Sequence, residues 1–132
     1  MRIMGLQKVF ISHSAKDADW ARSFAHALKQ RGVTVWFDEF DVQPGESWSD
    51  AIEAGLRSSD VLVPLLDGGS SSTRNFFFEL GAAIAMGKRV VPILARGVDP
   101  SVLPPKVRLR RYLIRDTPER TAEDLSDTLE AA

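Results

Sequence analysis

Residues 61–66 read Val61-Leu62-Val63-Pro64-Leu65-Leu66, six apolar side chains in a row with no polar alternation. A strand with one wet face alternates. A strand covered on both faces does not, and an unbroken run of this length marks the middle of a parallel sheet. Parallel neighbours must be reached through crossovers, usually helices. The sequence on either side supplies them. Residues 47–58 space Trp48, Ile52 and Leu56 as one helical stripe. Residues 33–37 (VTVWF) and 8–12 (KVFIS) are short, β-branched and apolar, as strands are. Between those two strands, Trp20, Phe24 and Leu28 recur every fourth residue with Ala21 and Ala25 beside them, predicting a helix over 17–31. Ser14 is its expected N-cap, and Gly32 stands where a C-terminal glycine belongs. Residues 38–46 hold four acids, a Pro and a Gly, which predicts a loop.

The alternation continues beyond residue 66. Residues 67–73 (DGGSSST) predict a flexible loop. Residues 75–86 carry Phe76, Leu80 and Ile84 on one helical face and end at Gly87. Residues 89–94 form the fourth expected strand. Residues 95–105 contain three prolines and a glycine, leaving little room for a helix. Residues 107–113 predict a fifth strand at an edge, where Arg108, Arg110 and Arg111 meet solvent. A closing helix over 119–131 turns Ala122, Leu125 and Leu129 inward. The fold class is α/β: a flavodoxin-like three-layer sandwich around a five-stranded parallel sheet of order 2-1-3-4-5, with right-handed crossovers. A ligand is expected beyond the carboxyl ends of the strands, at the switch between strands one and three.

Composition narrows the chemistry. The chain has 132 residues, which suits a single domain over 1–132. Seventeen Lys and Arg against eighteen Asp and Glu give a net charge of −1, no footprint for nucleic acid or an anionic membrane. There is no cysteine, which removes thiolate nucleophiles and cysteine-based metal sites, and His13 and His26 are the only imidazoles. No metal site and no tightly bound cofactor are expected. No apolar run has signal-peptide or membrane length, so the expected location is the cytoplasm. Neither a dinucleotide nor a P-loop glycine pattern occurs, and there is no G-x-S-x-G elbow. A phosphate-accepting receiver needs a metal-holding acid pair after strand one, where this chain has Ser12, His13 and Ser14.

Helical geometry singles out Glu79. With Phe76 placed at 0°, the core positions of residues 75–86 cluster within about 120°, Glu79 falls at about 300°, and Asn75 at about 260°. Glu79 therefore stands on the shoulder of the buried face, aimed at the edge of the sheet's carboxyl end. A half-shielded carboxylate there can oppose a developing cation, or simply complement the helix dipole. Phe78 lies on the outward face, as a pocket wall, a partner contact or an isolated exposed ring. Asp38, Glu39, Asp41 and Glu46 surround an expected exposed Phe40, without the spacing of a calcium loop. Pro44-Gly45 reads as a turn. His13 is either a general base or a locally hydrogen-bonded loop residue. His26 points away from the apolar stripe of its helix and is expected to be solvated.

Three boxes in order carry a family resemblance. Val9-Phe10-Ile11-Ser12-His13-Ser14 with Asp17 resembles the first box of Toll/interleukin-1 receptor (TIR) domains. Val35-Trp36-Phe37-Asp38, Pro44-Gly45-Glu46-Ser47 and Ile52…Gly55-Leu56 resemble their second strand, BB loop and following helix. Asn75-Phe76-Phe77-Phe78-Glu79-Leu80-Gly81 and Gly87-Lys88-Arg89-Val90-Val91-Pro92-Ile93-Leu94 resemble the third helix and fourth strand of bacterial members. The resemblance runs from about residue 8 to 115.

Two roles are implied by it. Many bacterial and plant TIR domains cleave NAD+ between nicotinamide and ribose, giving ADP-ribose or a cyclic isomer used in antiphage signalling. The family's catalytic glutamate falls on Glu79. Ser12, His13, Ser14, Trp36, Asp38, Asn75 and Phe78 are the implied substrate-binding residues, with NAD+ as substrate. Phe40, Pro44 and Gly45 are the implied self-association residues of the BB loop. Asn75 stands where many active members carry Trp. The alternative role is a non-catalytic scaffold acting through TIR–TIR association. Apart from these two, a nucleotide-binding sensor without catalysis is a third reading. The chain carries no sensor or effector region of its own, so the expectation is either a separate partner of that kind or a sequence that belongs to a longer protein.

Overall fold

A computed structural model describes residues 7–67, 81–83, 85–102 and 112–130. Its first half follows the strand–helix alternation closely. Strand β1 is Lys8–Ser12, helix α1 is Ala18–Gln30, strand β2 is Thr34–Trp36, helix α3 is Trp48–Ser58 and strand β3 is Val61–Leu66. The segment expected as a loop after β2 differs: Asp38–Asp41 forms one helical turn, α2. Asp41 makes that turn possible, because its carboxylate accepts the Phe37 N–H at 2.9 Å while the Asp41 N–H reaches the Phe37 carbonyl at 3.0 Å. Counting acids and turn formers misses such local capping.

Beyond β3 the fourth expected strand appears in two pieces, β4 at Arg89–Val90 and β5 at Ile93–Leu94. Both pair with β3 in parallel, so the expected position beside β3 holds. Val91 and Pro92 lie between the pieces, and the register brings Pro92 level with Pro64 of β3. Neither proline has an N–H to give the ladder. Strand β6, Leu113–Ile114, pairs with β5 and takes the edge place expected for the fifth strand. Residues 107–111 of that expected strand lie outside the described residues. The sheet thus runs β2-β1-β3, then β4 and β5 side by side with β3, then β6, all parallel.

Strand pleating sorts the side chains into two cores. Val9, Ile11, Val61, Val63, Leu65 and Ile93 pack with Phe24 and Leu28 of α1 and with Ala122 and Leu125 of the last helix, α4, Pro118–Glu130. Phe10, Trp36, Leu62, Leu66, Val90 and Leu94 pack on the other face with Leu56 of α3 and Ala83 of the helical residues 81–83. Ala83 is fully buried, on the helix face the sequence pattern assigns to the core. This is the three-layer sandwich. Among the described residues no helix is long and apolar enough to cross a membrane.

The helix ends have local causes. The α1 chain stops at Gly32, whose φ of 82° needs no Cβ. The Gly32 N–H bonds the Lys29 carbonyl and the Val33 N–H bonds the Leu28 carbonyl, a Schellman closure. At the other end Ser14 does not cap α1. A 3-10 turn, Ala15–Asp17, intervenes, and the Ser14 hydroxyl donates instead to the Asp17 carboxylate at 3.3 Å. Ser47 does cap α3, accepting the Asp50 N–H. Thr117 takes up the Arg120 N–H at the start of α4, and Pro118 occupies the first turn, where its missing N–H costs nothing.

Candidate functional site

The carboxyl ends of β1, β2 and β3 meet where the strand order reverses, and they bring Ser12, His13, Ser14, Asp38 and Asp67 to one end of the sheet. His13 leaves β1 and turns its ring across to the start of α2. Nδ1 lies 2.8 Å from the Ser14 carbonyl oxygen, and Nε2 lies 2.9 Å from Asp38 Oδ1. Both nitrogens therefore face acceptors. A neutral imidazole has one N–H, so only the imidazolium satisfies both contacts. The side chain is 7% exposed. Burial opposes the charge, but the hydrogen bonds to Asp38 and to the Ser14 carbonyl, with the charges of Asp38 and Glu39, outweigh it and raise the His13 pKa. The same bond, assisted by the Glu39 N–H, holds the Asp38 pKa below its ordinary value against burial. In the protonated ring both nitrogens donate, leaving no lone pair to act as a general base, and the ring fixes Asp38.

Ser14 is tied inward on both sides, its hydroxyl on Asp17 and its carbonyl on His13. Asp17 is buried and meets Arg115, whose Nη1 donates to Oδ1 at 2.9 Å. The Arg115 guanidinium also lies 4.8 Å over the Trp20 ring. Lys16 reaches across the switch point to Asp67 at 3.2 Å, linking the β1 end to the β3 end. Nothing in the sequence points to the Asp17–Arg115 pair, because its members are 98 residues apart.

Trp36 is not at the mouth. Its ring stacks on Phe10 with centroids 4.5 Å apart, inside the core on the α3 face, because the last residue of β2 turns inward there. A Cβ on Gly55 would overlap that indole, so the glycine of α3 is what lets Trp36 lie flat. Phe40, expected exposed, is half-buried. It packs edge-on to Phe37, touches the His26 ring at 4.9 Å and has Lys29 Nζ 4.5 Å over its face. His26 is exposed, as expected, but its ring rests on Phe40. Pro44 and Gly45 are exposed at the tip of the turn, with Gly45 at φ 84° and the Glu46 N–H on the Gln43 carbonyl. The acids expected to cluster are separately engaged: Asp38 by His13, Glu39 by Arg22 and Asp41 by the Phe37 N–H. Glu79, Asn75 and Phe78 lie outside the described residues.

The profile of the TIR domain family matches residues 9–131. An NAD(+) hydrolase of Paracoccus denitrificans is 44% identical over 59 residues, covering 44% of this chain and 20% of the relative. A 2' cyclic ADP-D-ribose synthase of Bacteroides thetaiotaomicron is 28% identical over 125 residues, covering 91% of this chain and 44% of the relative. This chain thus spans less than half the length of either. Among solved structures, a metazoan TIR-STING receptor from C. gigas superposes with a TM-score of 0.72 at 26% identity, covering 92% of this chain and 38% of that one. The profile match spans nearly the whole described chain, and the chain belongs to the TIR domain family.

Proposed function

We propose that this chain cleaves NAD+ at the bond between nicotinamide and ribose, in the crevice at the carboxyl ends of β1 and β3. The observation that carries the reading is the likeness, over 91% of the chain, to a relative named a 2' cyclic ADP-D-ribose synthase. The chemistry suits the residues present. When the C1′–N bond breaks, its electron pair returns to the pyridinium nitrogen and nicotinamide leaves neutral, so no general acid is required. The barrier is a ribosyl cation resembling that of glycoside cleavage. One carboxylate close to the ribose opposes that charge, and Glu79 is assigned this part. Water attacking C1′ gives ADP-ribose and a proton; attack by a hydroxyl of the same molecule gives a cyclic isomer.

His13 contributes orientation: its ring anchors Asp38 against the β1 end. Ser12 and the Ser14 backbone N–H lie beside it, and Asn75 and Phe78 are assigned to the remaining wall. Signalling in bacterial defence is the corresponding biological role. Incubation of the chain with NAD+ at high protein concentration, read by product chromatography, tests the reaction. Nicotinamide with ADP-ribose or a cyclic isomer is expected. Saturable NAD+ binding without product would replace catalysis by a sensor role. The exposed Pro44-Gly45 tip supports a second reading, homotypic TIR–TIR association, for which concentration-dependent light scattering lost in Pro44→Ala is the sign.

A further inference from the structure

The turn α2 has only four residues, and beyond its own Asp41 bonds to Phe37 little within it holds it, because isolated helical turns this short are far from stable. Yet Asp38, its first residue, is placed within 2.9 Å of His13. Something outside the crevice must fix the turn. One ridge of α1 does so. Arg22, His26 and Lys29 follow at spacings of four and three, so they share a face of the helix. Arg22 closes a fork on Glu39: Nε and Nη2 reach Oε1 at 3.1 and 2.9 Å, and Nη2 reaches Oε2 at 3.2 Å. His26 and Lys29 take Phe40 between them, the ring at 4.9 Å and the ammonium at 4.5 Å. Phe40 then leans edge-on against Phe37, whose ring lies 5.1 Å from that of His13.

We propose that this ridge is a clamp, with Arg22 and Glu39 as positioning residues that hold α2 so that Asp38 meets His13 at the switch point. The kinetic part of the proposal rests on the reaction proposed above; the structural part does not. The Arg22–Glu39 pair is too exposed, at 42% and 36%, to matter much for stability. Its forked geometry fixes direction, which a single contact would not. Neither residue faces the crevice contacts of His13 other than through the α2 turn, apart from the charge of Glu39 acting on His13 across space.

Arg22→Ala and Arg22→Lys separate these roles, with Arg57→Ala as a control that breaks a comparable exposed pair with Glu53 on α3. The readouts are the titration midpoint of the His13 ring by NMR and the kinetics of NAD+ cleavage. Arg22→Ala is expected to move the His13 midpoint down and to lower kcat about two- to five-fold with little change in KM, the scale of one oriented surface pair. Arg22→Lys keeps the charge without the fork and falls between. Arg57→Ala leaves both readouts at native values. A His13 midpoint in Arg22→Ala and Arg22→Lys equal to that of the control overturns the clamp, whatever the kinetics. If the native chain releases no nicotinamide, the reaction proposed above fails while the His13 titration still decides the clamp. Should Arg22→Ala not fold, Arg22→Lys decides by the same criterion.

Discussion

His13 sits between two acceptors, and the consequence is a pH signature that belongs to two residues. Its raised pKa means that its contribution to stability is complete below the ordinary value of 6.5 and is lost as pH rises through the folded value. Asp38, with a lowered pKa, contributes fully above its ordinary 3.8 and loses that contribution as pH falls through its own folded value. Native and Asp38→Asn proteins should therefore differ in stability by a constant amount between those limits, with the difference shrinking on either side. The His13 ring of the variant should titrate at lower pH than in the native chain. An unchanged midpoint by NMR would remove the bond from the account. At Gly55, any side chain collides with the stacked indole of Trp36. Gly55→Ala is expected to cost about 1–3 kcal/mol in a urea melt, the range for overpacking. The sequence marked His13 and Asp38 as site residues, but their partnership needs the fold, since 25 residues separate them. Trp36 misleads for the opposite reason: its place in a recognised box says nothing of which way the end of β2 faces.

Elements were more legible than residues. Stripes with three- and four-residue spacing located α1, α3 and α4, and the unbroken run at 61–66 located the central strand, because burial on both faces leaves no room for polar positions. Boundaries moved where a local hydrogen bond overrode pattern, as when Asp41 wound residues 38–41 into a turn. The split of the fourth strand follows from two prolines level with each other, visible in the sequence only once the register is known. The end of α1 offers a clean check. Gly32 is held at φ 82°, so Gly32→Ala should lose about 1 kcal/mol of unfolding free energy. A neutral result by chemical denaturation would contradict the Schellman closure.

The molecule as a whole is tied at the carboxyl end of its sheet by contacts from distant parts of the chain. Asp17 and Arg115 join the β1 loop to the residue after β6, with side chains only 10% and 15% exposed. Removing one member of such a pair strands the other charge, so Asp17→Ala is expected to cost about 3 kcal/mol, seen as a lower urea midpoint. Loss of less than about half that would mean that water reaches the pair and screens it. This bridge, the Lys16–Asp67 link and the α1 ridge against α2 tie the chain near the point where the strand order reverses. Sequence pattern found the switch point, because topology follows from the alternation of strands and helices. It did not find the ties, because charge pairing across the fold leaves no periodic trace. The central proposal is that one carboxylate, Glu79, carries the cleavage of NAD+. Nicotinamide release by the native chain and by Glu79→Gln, at equal concentration and matched thermal stability, tests it most directly. The account predicts release by the native chain and a rate about 10²–10³-fold lower in the variant, the usual cost of losing one electrostatic stabiliser of a transition state. Equal rates from the two proteins would contradict it.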